Sequence, residues 1–172
     1  MKKSIPFLLL LITTGAFAQV RPLSNTINRG IYTVPNTSFH PDLNLGYYNG
    51  NAGDGKAYAE GGSGARMVAS VQLPNGAVID SIRSYFIDYA DNGDMFISLL
   101  SYENAGNSGL NEIFTSATDG KSMNVRSLKA PLVSHTVDNA RYSYYLCVQP
   151  KAGAWPTKPA VMGIRSVVFF YH

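Results

Sequence analysis

The 172-residue chain has one cysteine, Cys147, so no internal disulfide can form and burial alone must hold the fold. Cys147 lies in Tyr144-Tyr145-Leu146-Cys147-Val148, a strand-like run. A small buried hydrophobe accounts for it there, since no adjacent cation or base would activate a thiol. Charge is also scarce, at 15% of residues, and no stretch concentrates the cations. The electrostatic footprint of a nucleic-acid partner is therefore missing. Histidine occurs only at His40, His135 and His172, none at metal-ligand spacing, so no metal is expected. Glu60, Glu103 and Glu112 sit in or beside expected loops, with nothing to pair them as acid and base. Gly61-Gly62-Ser63-Gly64-Ala65 misses the nucleophile elbow, because Ala65 replaces its last glycine. Catalytic residues and cofactors are thus expected to be none, and the chain reads as a non-enzyme.

One near-motif needs weighing. Gly50-Asn51-Ala52-Gly53-Asp54-Gly55-Lys56-Ala57 almost spells a phosphate loop. That loop needs Ser or Thr after its lysine to hold magnesium, with a buried strand before and a helix behind. Ala57 stands there, and neither flank has the required pattern, so no nucleotide partner is expected. No 20–50-residue repeat is found, and no segment beyond the N-terminus keeps a helical apolar period across three turns.

What is present begins at the N-terminus. Lys2 and Lys3 precede an apolar run from Ile5 to Ile12, and Ala16-Phe17-Ala18 places small residues where a signal peptidase reads. The run falls short of the roughly 20 residues a membrane span needs. Residues 1–18 therefore read as a signal peptide, and the working chain as an exported protein, periplasmic or extracellular. No cysteine follows Ala18, so it is not expected to be a lipoprotein. Without Lys2 and Lys3 the 14 basic residues become 12 against 11 acidic ones, leaving a net charge of +1.

Beyond the signal, short period-two runs alternate with turn residues. Ala65, Met67, Ala69, Val71 and Leu73 share one face up to the turn Pro74-Asn75-Gly76. Val78–Tyr89 and Met95–Tyr102 flank Asp91-Asn92-Gly93-Asp94 and read as a long hairpin. Asn111–Ala117, Met123–Leu128, Leu132–Val137, Arg141–Gln149 and Gly163–His172 follow, with Tyr142, Tyr144, Leu146 and Val148 on one face. Even spacing of such strands predicts an all-β, two-layer antiparallel β-sandwich, jelly-roll-like or Greek-key. Residues 19–64 read as an N-terminal arm with strands near Ile31–Val34 and a Gly/Asn-rich loop. Residues 65–172 read as the main sandwich, and 19–172 as one domain. A small outer-membrane β-barrel is the architectural alternative. Strict alternation would set Asp80, Ser84 and Asp88 on one face of their strand and Ser81 and Arg83 on the other, and neither row suits lipid.

Asp88, Asp91, Asn92 and Asp94 form an acidic group with two readings: a weak calcium site, or turn residues bonding to their own backbone. Trp155 lies in a proline-stiffened loop, Pro150 to Pro159, where a rigid aromatic can stack on a sugar or anchor a partner. Tyr47 and Tyr48 can do the same in the first long loop. The alternative for Trp155 is a lid folded over one end of the sandwich.

Val71-Gln72-Leu73-Pro74-Asn75-Gly76-Ala77-Val78-Ile79, then Asp88, Met95–Leu100 and the closing Gly163-Ile164-Arg165, resembles a pattern in exported bacterial proteins. There a Leu-Pro-x-Gly-Ala-x-Ile segment leads into a long strand ending near an Asp. The resemblance spans about two-thirds of the mature chain. It implies an all-β sandwich and transfers no functional residue.

Together these features predict a non-catalytic exported envelope or surface protein, acting as a structural, adhesive or binding module. A carbohydrate-binding module using Trp155 with Tyr47 or Tyr48 is the alternative. The expected partner is an extracellular glycan or an envelope protein. Self-assembly into a homo-oligomer through Val167–His172 as an exposed edge is a further reading.

Overall fold

The computed structural model describes residues 29–42, 47–49, 55–59, 66–91, 93–106, 109–130, 134–156 and 161–172. The signal peptide, the start of the arm and much of the Gly/Asn-rich loop lie outside the described residues. Strands dominate what is described. They are β1 (Gly30–Pro35), β2 (His40–Pro41), β3 (Tyr47–Asn49), β4 (Ala57–Ala59), β5 (Met67–Val71) and β6 (Val78–Asp88). The series continues with β7 (Met95–Glu103), β8 (Asn111–Ala117), β9 (Ser122–Lys129), β10 (His135–Thr136), β11 (Tyr142–Pro150) and β12 (Met162–Tyr171). A single 3₁₀ turn at Asn36–Ser38 is the helical content among the described residues.

Two antiparallel sheets stack face to face, as the alternating sequence predicts. One has five strands in the order β2-β5-β11-β7-β8. The other has seven, running β10-β6-β12-β4-β3, with β1 added to β12 and β9 to β6. Consecutive strands repeatedly switch sheets, a jelly-roll habit that wraps the chain around one core. Period-two alternation supplies that core. Tyr144, Leu146 and Val148 of β11 meet Val71, Ala69 and Met67 of β5 on one side and Ser101, Leu99 and Ile97 of β7 on the other. Ile82, Val167 and Phe169, all fully buried, face them from the seven-stranded sheet.

Three sequence expectations are corrected. The β6–β7 pair is not a hairpin: β6 bonds β12, β9 and β10, whereas β7 bonds β11 and β8. The Asp91–Asp94 segment is therefore a crossover between sheets. The C-terminal strand is not an edge either, because β12 lies between β6 and β1. Finally, the outer-membrane barrel is replaced by two packed sheets whose edge strands, among the described residues, are β1, β2, β3, β8, β9 and β10.

The Pro74-Asn75-Gly76 turn forms as expected, closed by Ala77 N–H donating to the Pro74 carbonyl at 3.1 Å. Only its glycine takes a positive φ, +81°. That geometry suits a type II turn leading from one sheet to the other, rather than the hairpin turn Asn-Gly often makes.

Candidate functional site

Among the expected site residues, Trp155 is 2% exposed and belongs to the hydrophobic core. Its ring closes the interior where the loop folds back, so it offers no stacking surface. Tyr47 and Tyr48 lie on β3, paired with Ala59 and Tyr58 of β4, and their side chains fall outside the described residues. The structure thus does not bring Trp155 together with either tyrosine at an exposed face.

The acidic group is split among separate partners. Asp91 pairs with Lys121, and Asp94 with Lys151 at 3.4 Å. Asp88 points inward and accepts a 2.5 Å hydrogen bond from the Thr118 hydroxyl. No three His, Cys, Asp or Glu side chains converge to hold a metal among the described residues. The phosphate-loop lysine, Lys56, is buried, and the chain runs directly from it into strand β4.

The surface with the most recognition chemistry is the outer face of the five-stranded sheet. Here the residues alternating with the core rows point away from the partner sheet. On β7 these are Phe96, Ser98, Leu100 and Tyr102; on β11 they are Ser143, Tyr145, Cys147 and Gln149. Pairing sets them in rows across the strands: Gln149 beside Phe96, Cys147 beside Ser98, Tyr145 beside Leu100, and Ser143 beside Tyr102. Phe96 and Tyr102 stand about 20 Å apart along one strand, with Tyr145 between them on the neighbouring strand. Tyr102 is 48% exposed.

At the centre of these rows Ser98, Leu100 and Cys147 are buried despite facing outward, Phe96, Tyr145 and Gln149 are half-buried, and Tyr102 and Ser143 are exposed. Ser98 Oγ and Thr115 Oγ1 lie 2.6 Å apart in a shared hydrogen bond across β7 and β8. Burial pushes the Cys147 thiol up to about 11, so it stays protonated and unreactive. Burial likewise raises the Tyr145 hydroxyl, against the pull of Arg66.

Arg66 borders the same face. Its Nε donates to Asp42 Oδ2 at 2.6 Å, and its backbone N–H donates to Asp42 Oδ1 at 3.2 Å. The Asp42 N–H returns a bond to the Arg66 carbonyl at 3.0 Å. This reciprocal clamp holds the guanidinium beside Asp42. Aromatic rings, hydroxyls, the Gln149 amide and an arginine therefore share one outer sheet face. The sequence signal for it was the unused half of the alternation: placing Tyr144, Leu146 and Val148 inward puts Tyr145 outward. Asp42 and Arg66 are brought together only by β2 and β5 pairing.

No family model matches the chain, and no curated protein matches it in sequence. Solved structures match it in fold. A xylan-binding module, CBM15, aligns at a TM-score of 0.50 and 13% identity, over 83% of this chain and 96% of its own. The GH26-CBM35 β-(1,4)-mannanase of Podospora anserina gives 0.45 at 13% identity, over 83% of this chain and 28% of the enzyme. TmCBM61, solved with β-1,4-galactotriose, gives 0.31 at 12% identity, over 83% of each chain. At 13% identity the likeness to the CBM15 module concerns fold alone. The CBM15 module places the chain among two-layer β-sandwiches.

Proposed function

We propose that the mature chain is an exported, non-catalytic glycan-binding module whose site is the outer face of the five-stranded sheet. One observation carries this reading: half-buried Phe96 and Tyr145 and exposed Tyr102 lie on one outer sheet face beside the clamped Arg66. Aromatic rings offer sugars an apolar stacking surface, and the surrounding Ser, Thr, Gln and Arg groups offer hydrogen bonds. Arg66 and Asp42 offset one another, which favours a neutral polymer. A sheet face suits an extended chain better than a small molecule enclosed in a cavity. The sandwich shared with a xylan-binding module makes a β-linked xylan the first ligand to try.

The test is titration calorimetry with neutral xylo-oligosaccharides, supported by a glycan array. Tyr145→Ala and Phe96→Ala are each expected to weaken binding at least tenfold, about 1.4 kcal/mol, while the β-sheet circular dichroism spectrum is kept. Absence of binding to every neutral glycan, or full affinity in both folded variants, overturns the reading.

A further inference from the structure

The opposite outer face, on the seven-stranded sheet, has a different character. Pairing sets Arg83 of β6 directly across from Lys129 of β9 on one side and Val168 of β12 on the other. Like charges in directly opposed positions destabilise a sheet. Among the described residues, neither cation enters an ion pair. Arg83 instead leans over the Phe170 ring, its Cζ 5.9 Å from the centroid. Phe170 also lines a cavity of about 410 Å³ shared with Arg29, Ile31 and Asp80. Asp80 is the acidic member of that lining, and it is engaged by His172 Nδ1 at 2.8 Å. Ile31, paired with Phe170, is 68% exposed. The result is a hollow lined by Phe170, Arg29 and the His172-engaged Asp80, with Arg83 over the same ring and Lys129 across from Arg83.

We propose that this face is a second binding site, for a carboxylate-bearing polysaccharide built from uronic acids. The fold derives no benefit from setting Arg83 against Lys129, whereas an anion between them converts repulsion into attraction. A planar carboxylate matches the arginine fork in bidentate fashion. The Phe170 ring presents an apolar floor to the sugar ring that carries the carboxylate. Repeating carboxylates along a polymer would meet Arg29, Arg83 and Lys129 in turn. An anionic lipid headgroup would meet the same cations but has no use for the ring floor. This site does not depend on the neutral-glycan reading, because it uses the other sheet and other residues.

The experiment measures oligogalacturonate binding by the full mature chain, its Arg83→Gln/Lys129→Gln variant and its Tyr145→Ala variant. The double variant is expected to lose at least tenfold in affinity, and Tyr145→Ala to lose none. Binding of the unaltered chain is expected to fall steeply between 50 mM and 500 mM salt, as screening of exposed charges requires. Lys129 is exposed, so Lys129→Gln alone provides a folded control and is expected to weaken binding as well. Oligogalacturonate affinity that is absent, or unchanged in both folded variants, refutes the site. So does capture by phosphatidylglycerol vesicles without any binding of oligogalacturonate.

Discussion

Asp88 turns the polar chemistry of the crossover inward. It is 1% exposed, and its Oδ2 accepts from Thr118, whose oxygen in turn accepts from the Met95 amide at 2.8 Å. Its Oδ1 has no hydrogen-bond partner among the described residues, and neither has the buried Nε of Arg126. Arg126 stacks on Phe86 at 5.2 Å and donates to the Asp119 and Gly120 carbonyls. Burial, opposed by the Thr118 bond, raises the Asp88 pKa above its ordinary value. The folded state thus holds the proton more tightly than the unfolded chain. Stability from this residue is full below the ordinary carboxylate range and declines as pH rises through the raised folded pKa. Asp88→Asn keeps an oxygen for Thr118 and removes the charge. Thermal melts from pH 4 to pH 7 are expected to show the variant at least as stable as the parent at pH 7, with a flatter pH profile. A variant markedly less stable at pH 7 would contradict this. Asp88 follows Ile82, Ser84 and Phe86 on the buried row, as alternation requires, whereas the outward turn of Asp80 was hidden in the sequence. Strict alternation sets Asp80 on the same row as Ser84 and Asp88, but the register against β12 shifts between Phe170 and Tyr171. Ile79 and Ile82 both face the core as a result, and a bulge of this kind leaves no mark on composition.

At the scale of elements, the edge of the seven-stranded sheet depends on a close approach at Gly163. A Cβ there would lie 2.7 Å from the Ala57 carbonyl oxygen, which is backbone and cannot swing aside. Gly163→Ala is expected to push β4 off β12 and cost about 1–3 kcal/mol, read as a lowered urea midpoint. An unchanged midpoint would mean that the β4–β12 contact contributes little. Strand positions were legible because period-two burial is written directly into the residues: Asn111–Ala117 matches β8 end to end, and β6 and β7 differ from expectation only at their last residues. Strand partners were less legible. Asp91–Asp94 has the letters of a hairpin turn, yet a short link serves equally well to pass between stacked sheets. Which sheet a strand joins is decided by core packing far away in sequence. The same reasoning explains Trp155. Outside a strand no period announces which way a ring faces, so its burial emerged only from the folded loop.

For the whole molecule, one core between two sheets leaves two outer faces with unlike chemistry. The face over β11 and β7 joins aromatics to a self-compensated Arg66–Asp42 pair; the face over β6 and β12 joins an aromatic to Arg83 and Lys129, which enter no ion pair among the described residues. Export by the N-terminal segment remains the proposal that brings such faces to glycans outside the cytoplasm. The two-layer architecture was readable from alternation alone. The candidate sites were not, because they are assembled across strands distant in sequence, as with Asp42 and Arg66 or Arg83 and Lys129. The most direct test is a residue-by-residue map of amide chemical-shift changes while the isotope-labelled mature chain is titrated with neutral xylo-oligosaccharide. The changes are expected to centre on Phe96, Tyr102, Tyr145, Gln149 and Arg66. Changes confined to the Trp155 loop or to the opposite sheet, or no changes at all, would contradict the account.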